Sequence, residues 1–184
     1  MTTAYELLQK QAVNNQQIYT LLRFACKCDH VTAMSLNSYD ASTVFLSAKV
    51  PHSVVYTFSD VDENVQKTFE EINNNSVDLK FKKIEKDIEP TDLLYIDTPA
   101  EGNFRASELE KYHRKVSKYI ILTNTVTHAH NPSNMIKLAD DQTPIGLVFG
   151  INHFLQTHDN WFILEHDDLA PGVSVLVNKD NASC

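Results

Sequence analysis

Residues 92–97 read DLLYID, a run of four apolar side chains between two aspartates. A run with no polar alternation is typical of a strand buried on both faces, as the central strands of a parallel sheet are. Residues 118–125, KYIILTNT, form a second run of this kind. A helical pattern that begins at Asn103 separates the two runs, and parallel neighbours need such a crossover. The two runs therefore predict adjacent parallel strands at the centre of a sheet.

Strand and helix patterns also alternate along the rest of the chain. The loop 167–171 is so short that it predicts a hairpin and an antiparallel final strand, whereas residues 128–143 predict a polar loop. The fold class is therefore α/β: a Rossmann-like, mostly parallel sheet with helices on both faces and a final antiparallel strand. The remaining strands are predicted at 31–36, 53–59, 77–81, 161–165 and 172–178, with helices at about 42–50, 61–72 and 146–158.

The length of the chain favours one domain. A chain of 184 residues with 42% hydrophobic content can bury a single sizeable core. Apolar residues at helical spacing before residue 29 predict two amphipathic helices, the first of them around Leu7 and Leu8. We expect one domain over 1–184, with N-terminal helices in 1–29, the sheet core in 30–178 and a polar tail in 179–184.

Composition excludes several classes of partner. A net charge of -8 would repel a phosphate backbone, so we expect no nucleic-acid partner. No apolar run reaches the ~20 residues of a membrane span, so we expect no membrane and a cytoplasmic location. The three cysteines, Cys26, Cys28 and Cys184, are expected to be free thiols. The remaining partners are a small-molecule substrate or a protein, including a second copy of the chain.

Ligands of open parallel sheets bind beyond the carboxyl ends of the strands, so the turns that follow the strands are the predicted site. After the first strand, Asn37, Ser38 and Ser42 offer backbone and hydroxyl donors at a helix N-terminus, where anions are favoured. After the second strand, Asp60 is placed either to bind the two hydroxyls of a ribose or to cap a helix.

Two more groups follow the later strands. Asp97 can act as a metal ligand or general base, or can hydrogen-bond within its own turn. His128 and His130 offer imidazoles as ligands or bases, or belong to a solvated loop. His153 and His158 differ by five, which does not place them on one helix face. No third ligand stands at a recognised metal-site spacing.

Several stretches together resemble one known family. They resemble class I S-adenosylmethionine-dependent methyltransferases, and more narrowly the small bacterial and phage-borne members related to macrocin O-methyltransferase and cephalosporin hydroxylase. The resemblance covers most of the chain. It is carried by Cys28-Asp29-His30-Val31-Thr32, Phe58-Ser59-Asp60, PTDLLYIDT at 90–98, KYIILTNT at 118–125, Phe154-Leu155 with Trp161, and GVSVL at 172–176.

The resemblance implies an activity and a set of site residues. The activity is methyl transfer from S-adenosylmethionine to a hydroxyl of a small molecule or sugar, with Asp60 on the ribose of the cofactor. It also implies Asp97 and position 124, here Asn124, as the place of a divalent cation such as Mg²⁺. Asp97, His128 and His130 would then lie near the acceptor.

The family's Glu-x-Gly-x-x-x-Gly pattern is replaced here by Met34, Leu36 and Asp40. Glycine allows a tight turn and close backbone approach to a cofactor, which Leu36 and Asp40 do not. The family's cation-binding aspartate is the neutral amide Asn124. These departures define an alternative hypothesis, in which a catalytically degenerate methyltransferase fold serves as a binding or assembly module.

Overall fold

A seven-stranded sheet forms the centre of the computed structural model. Its strands are ordered β3-β2-β1-β4-β5-β9-β8, and a separate pair joins β6 to β7. The structure describes residues 6, 16–35, 38–57, 61, 63–73, 77–83, 87–98, 102–125, 136–138, 141–145, 147–169 and 171–181. The strands are β1 (His30–Ser35), β2 (His52–Thr57), β3 (Asp78–Lys83), β4 (Thr91–Asp97), β5 (Val116–Thr123), β6 (Ile136–Leu138), β7 (Asp141–Ile145), β8 (Trp161–Asp167) and β9 (Val173–Asn178).

The first five strands run parallel, as the crossover argument predicts. The final strand, β9, is antiparallel to both of its neighbours and lies between β5 and β8. The fold is therefore the predicted Rossmann-like, mostly parallel sheet with an antiparallel final strand. The helices are α1 (Gln16–Ala25), α2 (Ser38–Ala48), α3 (Glu63–Asn73), α4 (Gly102–Tyr112) and α5 (Leu147–Thr157), with a 3₁₀ turn at His113–Lys115.

Strand β4 explains why its sequence shows no polar alternation. Successive strand residues point to opposite faces, and both faces are covered. Leu93 and Tyr95 pack into one buried cluster together with residues of α1 and α2. Leu94 and Ile96 pack into a second cluster together with residues of α4 and α5. Helices on both faces thus bury the central strands completely.

Two local predictions are wrong. Helix α2 begins at Ser38, before the predicted start at about residue 42, so Asp40 lies in its first turn. The polar residues at the start of this helix show no apolar periodicity, so the sequence does not predict a helix there. The predicted loop 128–143 contains β6 and the start of β7, which pair with each other. A three-residue strand and a strand containing Pro144 give no alternation that sequence reading can detect.

The N-terminal region is described in part. Helix α1 matches the second of the two predicted N-terminal helices, and the first, around Leu7 and Leu8, lies outside the described residues. Within the described residues, no helix has the length and apolar character needed to cross a membrane.

Candidate functional site

The carboxyl end of β4 carries Asp97, flanked by the ends of β1 and β5. Ser35 on β1 pairs in register with Asp97, and its hydroxyl lies 3.4 Å from Asp97 Oδ2. Thr123 on β5 donates its hydroxyl to Asp97 Oδ1 at 2.8 Å. Both hydroxyl-bearing residues are buried, whereas Asp97 is partly exposed. One carboxylate therefore bonds to the strand on each side of it.

Asn124 follows directly and turns its amide back into the protein. Its φ of 58° lies in the left-handed region, which asparagine tolerates better than most residues. Asn124 Nδ2 donates to the Thr123 hydroxyl at 3.2 Å, and Gln17 Nε2 on α1 lies 3.5 Å from Asn124 Oδ1. Gln17 Nε2 also donates to the Gly172 carbonyl at 3.3 Å. The amide thus connects the end of β5 to the N-terminal helix.

A second carboxylate belongs to the same edge. Asp40 is partly buried in the first turn of α2. Burial raises the pKa of Asp40, and the negative charge of Asp97 raises it further. The two carboxylates therefore repel each other, and a further negative charge at this edge would be unfavourable.

The predicted site residues fall into three groups. Asp97 and Asn124 both bond to the Thr123 hydroxyl. Ser42 is fully buried within α2, and Ser38 is the first residue of that helix. The others, Asn37, Asp60, His128 and His130, lie outside the described residues, so their roles stay predictions.

Sequence reading misses three members of this arrangement. Ser35 and Thr123 each end a buried strand with a hydroxyl, and that is the signal that marks them. They become neighbours of Asp97 only because β1 and β5 flank β4. Gln17 gives no signal at all, because its role depends on where α1 packs against the sheet.

The predicted cation does not fit the Asp97 and Asn124 pair. Each carboxylate oxygen of Asp97 has a hydroxyl partner within the protein, and the Asn124 amide faces Gln17 and Thr123. Magnesium is bound in proteins by carboxylates and waters in near-ideal octahedral geometry, which an inward-facing amide does not supply.

The family resemblance places S-adenosylmethionine at this same edge. Its methionine carboxylate would meet an edge that already carries Asp40 and Asp97. Met34, at the position of the family's glutamate, is 1% exposed and packs in the core beneath the edge. It offers the cofactor no charge and no hydrogen bond.

The amino edge of the sheet, opposite Asp97, holds a different polar arrangement. Asp92 accepts hydrogen bonds from the Ser117 hydroxyl at 2.7 Å and from the backbone amides of Asp29 and His30 at 3.0 and 3.2 Å. A cavity of about 660 Å³ opens beside it and extends to His113 and Trp161. This cavity therefore lies at the edge of the sheet opposite the predicted cofactor site.

Comparison with known proteins identifies the fold. A methyltransferase from Geobacter sulfurreducens superposes with a TM-score of 0.63 at 14% identity, covering 95% of this chain and 87% of that chain. An O-methyltransferase from Bacillus cereus in complex with SAH superposes at 0.61, with 16% identity and coverage of 96% and 90%. The O-methyltransferase TomG from Streptomyces achromogenes, in complex with SAM, superposes at 0.54, with 10% identity and coverage of 90% and 81%.

These likenesses establish a methyltransferase-like, Rossmann-like fold. No family model matches the chain, and no curated protein matches it in sequence. The narrower resemblance to macrocin O-methyltransferase and cephalosporin hydroxylase relatives therefore stays a prediction. At such low identity the superpositions speak for architecture, and the chemistry must be argued from the site.

Proposed function

We propose that this chain is a non-catalytic protein built on a methyltransferase fold, which acts as an assembly module. The observation that carries the proposal is the engagement of Asp97 by Ser35 and Thr123. Each carboxylate oxygen has two lone pairs, and one of them is taken by a hydroxyl of a neighbouring strand. The Asp97 carboxylate is thus tied to the strands on both sides of it, which supports a structural use of the group.

The neighbouring residues support the same interpretation. Asn124 replaces a carboxylate and bonds inward, and Asp40 adds negative charge where a cofactor carboxylate would bind. The amide of Asn124 and the charge of Asp40 each weaken cofactor binding, and both lie at the carboxyl edge of the sheet. A fold whose core is intact and whose edge residues hydrogen-bond to neighbouring strands is suited to a binding role.

The assembly surface that we propose is the edge strand β8. Phe162, Ile163 and Leu164 are consecutive and 38%, 40% and 45% exposed. Within the described part of the chain, β8 has β9 on one side and no strand on the other. An apolar edge strand with unpaired backbone groups is a template for pairing with another strand.

A second copy of the chain is the occupant that the sequence of β8 favours. If two β8 strands pair antiparallel across the bulge at Leu164, the apolar residues 162–164 of the two copies meet at the centre, and the acidic residues Glu165 and Asp167 of each copy lie to one side. Glu165 also pairs with Arg23 on α1, which reduces its repulsion. Such a contact is isologous, so it closes into a dimer and does not propagate.

The assembly proposal is tested by measuring oligomeric state. We expect the wild-type protein to be a dimer by light scattering after size-exclusion chromatography, and Leu164→Lys to be a monomer. Leu169→Lys is the matched control, because Leu169 is 77% exposed but lies outside the strand. A monomeric wild type, or equal loss of the dimer in both variants, would overturn the proposed interface.

The catalytic part is tested separately by calorimetric titration with S-adenosylmethionine and S-adenosylhomocysteine, with and without Mg²⁺. We expect no binding tighter than about 100 μM, which corresponds to roughly 5.5 kcal/mol. Tighter binding would contradict the non-catalytic proposal whatever the oligomeric state. The double variant Leu36→Gly and Asp40→Gly is expected to bind better than wild type, because it removes two side chains and one negative charge.

Methyl transfer to a small-molecule or sugar hydroxyl is the second candidate function. It is favoured by the superposition on proteins in complex with SAH and SAM. Turnover of radiolabelled S-adenosylmethionine with a panel of hydroxylated acceptors would support it, provided that Asp97→Asn abolishes the signal. Activity that survives Asp97→Asn would show that the transfer does not depend on Asp97.

A further inference from the structure

Glu110, His113 and His158 come together at the amino edge of the sheet, away from Asp97. Glu110 lies in the last turn of α4, His113 begins the 3₁₀ turn before β5, and His158 directly follows α5. Their potential ligand atoms all lie within 4.8 Å of one another. His158 Nε2 and Glu110 Oε2 are separated by 3.7 Å.

The hydrogen bonds of the two imidazoles fix which nitrogen is available. His113 Nδ1 lies 3.0 Å from the Leu109 carbonyl, and His158 Nδ1 lies 3.0 Å from the Phe154 carbonyl. A carbonyl oxygen only accepts, so the carbonyls favour Nδ1 as the donor in each ring and leave Nε2 to face a ligand, while the Thr157 hydroxyl also lies 3.0 Å from His158 Nδ1. Metal-binding histidines in proteins are oriented by such a bond from the other ring nitrogen.

Packing holds both rings in place. The ring centroids of His113 and His158 are 4.3 Å apart at 67°, and Phe154 stacks on His158 with centroids 4.4 Å apart. His113 is only 8% exposed, whereas Glu110 is exposed and can turn toward the rings. The arrangement therefore has two fixed nitrogens and one adjustable carboxylate.

We propose that Glu110, His113 and His158 form a binding site for a divalent transition-metal ion, with Zn²⁺ as the best match. Zinc accepts two imidazoles and a carboxylate at about 2.0–2.2 Å, with a fourth position left for water. Ligands of a tetrahedral site at those distances are about 3.3 Å apart. The 3.7 Å between His158 and Glu110 is near that value, and the other separations, all within 4.8 Å, reach it through small shifts of the side chains.

A bound ion would connect the ends of α4 and α5. Both helices cover the same face of the sheet, and their residues share one buried cluster. Binding to the folded chain alone would raise the unfolding temperature. The site is independent of the proposed assembly function, because its residues lie on neither β8 nor the Asp97 edge.

This site cannot be recognised from the sequence. Glu110 and His113 are three apart, as on one helix face, but the third ligand comes from another helix. A search for ligands at recognised spacings therefore fails, and His158 compared with His153 suggests no site. The packing of α4 against α5 creates the cluster.

The experiment is a calorimetric titration of tag-free protein with Zn²⁺. We expect one ion to bind per chain, with affinity reduced roughly tenfold or more in His158→Gln and in Glu110→Gln. His153→Gln is the matched control, since His153 is an exposed histidine of α5, the helix that His158 directly follows. Cys26→Ser controls for the exposed thiol. Both controls should bind as wild type does.

Cobalt provides an independent readout, because Co²⁺ in a low-coordinate nitrogen and oxygen site gives visible absorption bands. The bands should appear with wild type and be lost in His158→Gln. His113 is buried, so the two more exposed positions carry the test. Absence of saturable Zn²⁺ binding up to about 100 μM, or unchanged affinity in both His158→Gln and Glu110→Gln, would overturn the proposal.

Discussion

The Thr123 hydroxyl donates to Asp97 Oδ1 at 2.8 Å and so joins the end of β5 to the end of β4. Ser35 approaches the other carboxylate oxygen from β1. Three neighbouring strands therefore meet at one side chain. This arrangement gives Asp97 a structural role at the carboxyl edge of the sheet.

Replacing Thr123 with valine tests this structural role. Thr123→Val keeps the side-chain shape but removes the donor to a carboxylate, so we expect a loss of about 1–3 kcal/mol in unfolding free energy. Urea denaturation measures it. Thr68→Val is the control, because the Thr68 hydroxyl bonds to a carbonyl on the exposed surface of α3. A change below about 0.5 kcal/mol, the range of ordinary surface substitutions, would argue against the role.

Asp40 should oppose folding at neutral pH. Its pKa is raised in the folded protein from an ordinary value of 3.8, so the folded chain holds this proton more tightly than the unfolded chain does. Stability therefore falls as the pH rises from 3.8 through the folded pKa. Asp40→Asn should melt above wild type at pH 7, and the difference should shrink as the pH falls to 3.8.

Thermal unfolding across that pH range measures the effect of Asp40→Asn. The control is Asp159→Asn, which changes an exposed aspartate in a turn. If Asp40→Asn gains nothing at pH 7, or gains the same at every pH, then the charge of Asp40 is not the cause.

The charge of Asp92 should stabilise the folded protein at neutral pH, in contrast to the charge of Asp40. Burial alone would raise its pKa, but hydrogen bonds from Ser117 and from the amides of Asp29 and His30 outweigh burial and lower it. Its contribution is present above pH 3.8 and is lost as the pH falls through the folded pKa. Asp92→Asn should cost about 1–3 kcal/mol at pH 7 and less in acid.

Chemical denaturation at pH 7 and in acid measures this pattern. Asp78→Asn is the control, because the pKa of Asp78 is also lowered, mainly by Lys80 and His52, but its carboxylate faces solvent. We expect a smaller loss for Asp78→Asn, since exposed ion pairs contribute little. Equal losses in the two variants would show that burial of the Asp92 network is unimportant.

The two neighbouring cysteines should differ in reactivity. Burial raises the pKa of Cys28 to about 12, and the charge of Asp92 adds to the shift. Cys26 is exposed. In a Cys184→Ser background at pH 8, iodoacetamide should label Cys26 readily and Cys28 only after denaturation, because the thiolate is the reactive form. Peptide mass mapping measures both, and equal native labelling would contradict the buried position of Cys28.

Much of the sheet could be predicted because its signal is local. The run DLLYID needs no knowledge of distant residues, since a strand covered on both faces must be apolar throughout. The start of α2 and the β6–β7 pair could not be predicted in the same way. Their sequences are polar or short, and tertiary pairing determines their structure.

The same distinction between local signal and tertiary packing applies to the residues around Asp97. Asp97 and position 124 could be identified from the sequence because each follows a predicted strand. Their hydrogen bonds to Ser35, Thr123 and Gln17 could not, since those depend on strand order and on the packing of α1.

The sequence by itself determined the α/β class, the parallel strands and the absence of glycine where a cofactor loop needs it, because these follow from side-chain pattern and backbone freedom. Tertiary structure decided what Asp97 bonds to, where the apolar edge of β8 lies, and that His113 meets His158. Those relationships join residues far apart in the chain, and only the order of strands and the packing of helices bring them together.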